Sequence, residues 1–202
     1  MIASLIGTLK LKNPTEIVVD VHGIGYTVSI PLSTYEHLGD VGSSVFVLTH
    51  LHVREDAMQL FGFSTEEERR LFKLLISVSG IGPKIAQSIL SGMNTEELKS
   101  HLVTGNAVAL TAIPGVGRKT AERLILELRD KAGKISRESE SISAAGLSSA
   151  AMRTEALQAL LSLGYNQQIA EKSIRQVLKE AEGSTLSLEE LVKRALRHTS
   201  TR

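Results

Sequence analysis

The first 63 residues alternate between short apolar runs and turn residues at the spacing of a small closed β-barrel. The runs are rich in Val, Ile, Leu and Thr, and they predict strands over 2–11, 16–21, 25–30, 44–53 and 58–63. The turn signals Asn13-Pro14, His22-Gly23 and Gly39-Asp40 separate these runs. This pattern favours an all-β unit at the beginning of the chain.

The pattern changes to helical spacing at residue 64. Ser64–Glu67 predicts a helix-capping box, and Asn94–Glu97 predicts a second one. Apolar residues follow the first box at intervals of one, three and four, at Leu71, Leu74, Leu75 and Val78. Residues 120–131 predict a further strong helix. We therefore expect four or five helices in residues 64–132.

The chain loses its large apolar residues over 133–149, and we expect a flexible linker there. Beyond it, helices are predicted over 153–163, ending at Gly164, and over 167–181. A capping box that begins at Ser187 predicts a last helix. Residues 150–202 should therefore form a three-helix bundle, close to the smallest size at which a domain folds alone.

Two segments of the helical third share one pattern. Val78–Ala86 and Ile113–Ala121 align with both glycines, the lysine and the final alanine in register. Each copy follows a helical stretch and begins another, so each resembles a helix-hairpin-helix motif, which would bind the phosphate backbone of DNA. The candidate DNA-binding residues are Gly80, Ile81, Gly82 and Lys84 in the first copy and Gly115, Val116, Gly117, Arg118, Lys119 and Thr120 in the second.

These residue types suit phosphate binding. Glycines allow positive φ and close approach of the backbone, so that hairpin and helix N-terminal amides can meet one phosphate oxygen, and the basic residues add charge. Such contacts read no bases, which predicts salt-sensitive binding without sequence preference.

Turns that only connect packed helices are the alternative. A dinucleotide-binding loop would need a third glycine where Ile85 and Thr120 stand, and the Gly-Lys-Ser/Thr order of a phosphate-binding ATPase loop is missing.

Composition limits the remaining classes. The net charge is only +1, but residues 64–135 hold 11 basic and 8 acidic side chains, whereas residues 1–63 hold 3 and 6. The absence of cysteine excludes disulfides, thiolate metal sites and cysteine nucleophiles. No apolar run is long enough for a membrane span and no signal peptide is evident, so we expect a cytoplasmic protein.

An acidic pair, Glu55 and Asp56, follows Arg54 between two predicted strands and should lie at a hairpin tip, where it would repel phosphate. An ordinary solvated turn is the alternative. With His50 and His52 nearby, a metal-dependent nuclease site is a second alternative, but no further acidic cluster completes it. We therefore expect no catalytic residue, no metal site and no cofactor.

The order of these features resembles the RuvA family of bacterial Holliday-junction recognition subunits. The resemblance covers the whole chain, and its most specific segments are 52–56, 60–63, 80–84, 90–93 and 114–124. It implies an α+β fold: an OB-type five-stranded barrel over 1–63, tandem helix-hairpin-helix motifs over 64–132, the linker over 133–149 and a helical bundle similar to ubiquitin-associated domains over 150–202.

The resemblance also implies function. The chain would be the non-catalytic subunit of a branch-migration complex in recombination and DNA repair. It would assemble as a homotetramer or double tetramer that holds a four-way DNA junction open and planar, with Glu55 and Asp56 as an acidic pin at the crossover and Arg54 beside the DNA. The bundle would recruit the hexameric RuvB ATPase, and a junction resolvase is a further candidate partner.

The candidate ATPase contacts are Leu160, Leu163 and Tyr165, although a leucine stripe at helical spacing more often belongs to a core. Two other classes remain open. A junction or repair endonuclease would need a divalent metal and would cleave strands. A general architectural DNA binder would show little preference for branched DNA.

Overall fold

The computed structural model describes residues 1–144, 149–180 and 186–199, with side-chain surroundings for 1–131, 152–180 and 186–198. The chain divides into two compact units, Met1–Ser136 and Arg137–Arg202. We describe each unit separately.

The N-terminal strands close into a five-stranded barrel, as predicted. The strands are β1 (Ser4–Asn13), β2 (Glu16–Val21), β3 (Ile24–Ser29), β4 (Ser44–Val53) and β5 (Met58–Phe63), in the spatial order β1-β2-β3-β5-β4. All pairings are antiparallel except β3 with β5. This is the strand order of an OB-type barrel. A short helix that the sequence did not predict, α1 (Leu32–His37), connects β3 to β4.

Alternating apolar side chains fill the barrel. Residues on one face of each strand are buried, and the core cluster consists of Leu5, Leu9, Ile17, Val19, Val28, Ile30, Val45 and Val47. This period of two is what a half-buried strand requires. The predicted bounds of β2, β4 and β5 match the structure, and those of β1 and β3 differ by one or two residues.

Five helices begin after the barrel: α2 (Glu66–Ile76), α3 (Pro83–Gly92), α4 (Thr95–Thr104), α5 (Ala107–Thr111) and α6 (Arg118–Ala144). The capping box at Asn94 and Glu97 is confirmed. The box predicted at Ser64–Glu67 is wrong by one residue, because Thr65 caps α2 and Glu68 completes the box. A box starting at Ser64 and one starting at Thr65 both have a glutamate three residues after the hydroxyl residue. Only the box that starts at Thr65 uses Glu68, whose side chain is buried.

Glu68 joins the barrel to the helical region. Its buried carboxylate accepts hydrogen bonds from the hydroxyls of Ser33 and Thr34 in α1 and from the amide and hydroxyl of Ser64. Beside it, the Phe72 ring of α2 packs between Phe61 and Phe63 of β5, with ring centroids 5.0 and 4.9 Å away. A satisfied buried carboxylate and an aromatic cluster thus fix α2 against the barrel.

The linker expected over 133–149 has a different form in the structure. Helix α6 continues to Ala144, so most of this segment is helical rather than irregular, and residues 145–148 lie outside the described residues. Its polar Ser- and Ala-containing composition carries no apolar stripe, and for this reason no helix was predicted there. Flexibility of this segment stays a prediction.

The C-terminal unit contains α7 (Ser149–Ser162), α8 (Gln167–Glu180) and α9 (Leu188–Thr199), the three helices that were predicted. Their core consists of Ala156, Leu160, Ala170, Ile174, Val177, Leu191 and Ala195. Helix α7 is followed by Gly164 with φ 89°, and the Ser187 hydroxyl accepts from the Glu190 amide at the start of α9. Among the described residues, no helix combines the length and apolar character needed to cross a membrane.

Candidate nucleic-acid interface

The two hairpins have the same backbone geometry. The amide of Ile81 donates to the carbonyl of Val78, and that of Val116 donates to Ile113, both at 3.0 Å. In each turn the residue before this amide is a glycine with positive φ, 90° at Gly80 and 88° at Gly115. The apolar residue between the glycines is buried in both copies. The sequence repeat is therefore a structural repeat, with its apolar side chain anchoring the turn.

Neither the backbone conformation nor the packing of the second glycine in each hairpin requires glycine. Gly82 caps α3 in an extended conformation with φ −85°, and a Cβ on Gly82 or Gly117 would meet no atom within 4 Å among the described residues beyond its two chain neighbours. Neither backbone strain nor packing selects glycine here. The expectation of positive φ thus holds only for the first glycine, whereas the second leaves the backbone open to an outside ligand.

Each open glycine precedes the N-terminus of a helix. Pro83 at the start of α3 has no amide hydrogen, but the next amides of α3 and the first amides of α6 lack intrahelical acceptors, and the helix dipole favours an anion at this end. Lys84 and Lys119 are exposed at equivalent positions and make no ion pair with a carboxylate within the described residues. Arg118 is 87% exposed and pairs with Glu122 at 3.0 Å. Each hairpin can therefore present backbone amides and an ammonium group to a phosphate of its own.

Reciprocal contacts hold the two copies together. The guanidinium of Arg123, in the helix of the second copy, donates a 3.0 Å hydrogen bond to the carbonyl of Ser79 in the first hairpin. In the other direction, Ile85 of the first helix lies 3.8 Å from the position that a Cβ on Gly115 would occupy. Arg123 was not among the predicted site residues, because its spacing from Glu122 and Glu127 indicates only a charged helix face.

The acidic pair lies at the tip of the β4–β5 hairpin, as predicted. The amide of Arg54 donates to the Ala57 carbonyl at 2.8 Å and closes the loop, so Glu55 and Asp56 are exposed at its end. The Nε of Arg54 donates a 3.0 Å hydrogen bond to Nε2 of His52. Within the described residues, no three His, Cys, Asp or Glu side chains converge as a metal site.

In the C-terminal unit, the three partner candidates differ in exposure. Leu160 is fully buried in the core cluster with Ala156, Ile174 and Leu191, so its side chain is not exposed to a partner in this structure. Leu163 is 60% exposed, and Tyr165 is partly buried against that core. Ile169, which was not among the candidates, is 50% exposed.

Tandem helix-hairpin-helix motifs on an OB-type barrel define a class of proteins that bind the DNA backbone. Comparison with protein-family models agrees with this assignment. Residues 1–62 match the RuvA N terminal domain, residues 72–130 match the SAM-like helix-hairpin-helix tandem, and residues 151–200 match the RuvA C-terminal domain.

Full-length relatives show the family. A protein of Chloroherpeton thalassium, described as Holliday junction branch migration complex subunit RuvA, is 48% identical over 202 residues and covers 100% of both chains. Proteins with the same description from a Marinomonas species and from Geobacter sulfurreducens are 47% and 45% identical and cover 98% and 92% of this chain and 98% and 94% of their own. The chain belongs to the RuvA family.

Proposed function

We propose that the chain binds four-way DNA junctions by their shape, without reading sequence, and carries them into a branch-migration complex. The observation that supports this most is the pair of open glycine turns, each followed by a helix whose lysine forms no ion pair within the described part of the chain. Amides and ammonium groups contact phosphates, which are the same in every sequence. Selectivity must therefore come from how several such sites are arranged around the DNA.

A homotetramer supplies that arrangement. Four copies, or two stacked sets of four, would offer one tandem hairpin unit to each duplex arm of the junction, and four Glu55-Asp56 tips would meet near the crossover. The exposure of this tip and its two carboxylates support the pin role. Like charges about 4 Å apart repel by roughly 1 kcal/mol in water and about 4 kcal/mol at an effective dielectric near 20, enough to keep strands apart.

The motor is a separate protein in this proposal. The relatives are described as subunits of a branch migration complex, and the sequence lacks a nucleotide-hydrolysing phosphate loop. We propose that the C-terminal unit recruits a RuvB-type hexameric ATPase through Leu163 and Tyr165, with Ile169 as an added contact. Exposed apolar side chains on a small bundle suit a protein partner better than DNA. A junction resolvase would share the opposite face of the bound DNA.

The test is competition between a fixed four-way junction and a linear duplex of equal length and composition, first without metal and then with Mg²⁺. We expect strong junction preference and intact strands in both conditions. Neutralising the tip with Glu55→Gln and Asp56→Asn should tighten junction binding and leave duplex binding unchanged. Equal affinity for both DNAs would contradict junction recognition and leave an architectural binder, and strand cleavage with Mg²⁺ would indicate a nuclease.

A further inference from the structure

A row of basic side chains leads along β4 to the acidic tip. His50, His52 and Arg54 occupy alternate positions, so they project from the same face of the strand. The His50 and His52 ring centroids are 6.5 Å apart, and Arg54 Nε donates to His52 Nε2 at 3.0 Å. The three side chains therefore form one continuous row that ends at Glu55.

Helix α2 adds positive charge beside this row. The His50 ring lies 5.5 Å from the Phe72 ring. Burial lowers the pKa of His50, and electrostatic interactions with Lys73, His52 and Arg69 lower it further, so the neutral form of this imidazole is favoured. Arg69 is paired with Glu66 at 2.6 Å. Lys73 forms no salt bridge within the described residues.

The hydrogen bond from Arg54 joins His52 to the end of the row. An imidazole nitrogen accepts a hydrogen bond through its lone pair, and Nε2 of His52 is the acceptor in this bond. Across the sheet, His52 faces Gln59 and His50 faces Phe61, so β5 supplies no carboxylate opposite either ring.

We propose that His50, His52, Arg54 and Lys73 form a phosphate-binding row at the base of the acidic tip. The row would bind backbone phosphates of the DNA strand that passes the acidic tip at the crossover. Its cations would attract this strand next to the place where the carboxylates of the tip repel it. A bound phosphate favours the charged form of an imidazole, so His50, whose pKa is lowered in the free protein, would take up a proton on binding. This proposal rests on the proposed junction binding but adds a contact outside the hairpins.

The pH dependence of junction binding tests the row. Affinity for a labelled four-way junction should be measured by fluorescence anisotropy between about pH 5.5 and 7.5, with ionic strength fixed and a chelator present, since histidine titrates in this range. We expect affinity to rise by up to about tenfold for each unit by which the pH falls, for one proton taken up on binding. The double variant His50→Gln, His52→Gln should lose most of this rise, whereas His37→Gln, a solvent-exposed histidine on α1, should keep it.

A second variant avoids any disturbance of the Phe72 cluster. Lys73→Gln changes an exposed side chain, and it should lower the log–log salt slope of junction binding by about 0.9 for one lost phosphate contact while leaving duplex binding unchanged. An unaltered pH dependence in the double histidine variant, or an unaltered junction salt slope in Lys73→Gln, would overturn the proposal. Either result could occur with junction preference intact, so it would not be confused with failure of the proposed function.

Discussion

Arg123 hydrogen-bonds to the backbone carbonyl of Ser79, 44 residues earlier in the chain, with 3.0 Å between Nη1 and the oxygen. This contact fixes the helix of the second copy against the hairpin of the first. Because phosphates occur at regular spacing along a duplex, two binding turns act together only when their separation is fixed. We therefore regard the pair of hairpins, rather than either one, as the binding unit.

Removing this contact should weaken DNA binding. We expect Arg123→Gln to reduce affinity for duplex and junction alike by roughly fivefold to thirtyfold, because a hydrogen bond to a charged group contributes about 1 to 2 kcal/mol when partly exposed. Arg129→Gln, which removes an exposed charge from the same helix, is the matched control. Arg123 would have no positioning role if both variants bound DNA equally well in fluorescence anisotropy.

The first glycine of each hairpin should matter for stability. Gly80→Ala and Gly115→Ala place a Cβ on a backbone with φ near 90°, and each should cost about 1 to 2 kcal/mol in the free energy of unfolding. Gly82→Ala should cost much less, since its φ of −85° suits any residue. Urea denaturation checks both values, and equal losses at Gly80 and Gly82 would contradict the assigned turn geometry.

The two hairpin lysines should contribute equally to salt sensitivity. Lys84→Gln and Lys119→Gln occupy equivalent positions in the repeat, so each should reduce the log–log slope of duplex affinity against salt by about 0.9 per lost phosphate contact. The control is Lys172→Gln, an exposed lysine in the C-terminal unit. A reduced slope in the control as well, or in only one hairpin, would argue against two equivalent phosphate sites.

A buried ammonium stabilises the helical region. Lys99 is 3% exposed and donates 2.6 Å hydrogen bonds to Glu67 and Glu96. Burial lowers the pKa of Lys99, but these hydrogen bonds and the two negative charges outweigh it, so the pKa is raised overall. Its contribution to stability is therefore present below the usual pKa of about 10.4 and is lost as the pH rises through the higher folded-state value.

Lys99→Met should lower the free energy of unfolding by about 1 to 2 kcal/mol at neutral pH, less than for a fully buried pair because Glu96 is 76% exposed. The difference between this variant and the native chain should shrink at strongly alkaline pH. Lys131→Met, on an exposed site, provides the control for charge removal. A constant difference up to pH values well above about 11 would contradict the raised pKa.

Hydrophobic alternation and turn residues were enough to predict the strands of the barrel and the repeated hairpin. Strand bounds at Ser44–Val53 and Met58–Phe63 follow from alternation and turn residues, and the hairpin repeat is visible as matched glycines. Helix α1 was missed because six residues without apolar spacing give no period to detect. The choice between Ser64 and Thr65 as the residue that caps α2 depends on which glutamate the fold buries.

The features that could not be predicted from the sequence depend on contacts between residues far apart in the chain. The bond from Arg123 to Ser79 joins segments 44 residues apart, and nothing in either segment marks the other as its partner. Leu160 and Leu163 lie on one apolar stretch, but only the packing of three helices decides that the first is buried and the second is exposed. Candidate site residues in the two matched hairpin copies could be predicted from the sequence. Residues that contact another helix or hairpin, such as Arg123, could be identified only from the structure.

The most direct test of the account is DNA binding by the double variant Gly82→Ala, Gly117→Ala. Both Cβ atoms would point into open space, so the fold should keep its native Tm. If these turns hold phosphates by close backbone approach, affinity for the four-way junction should fall by about tenfold or more, equivalent to about 1.4 kcal/mol. A variant that melts like the native chain and binds the junction with native affinity would contradict the claim that these open turns grip the DNA backbone.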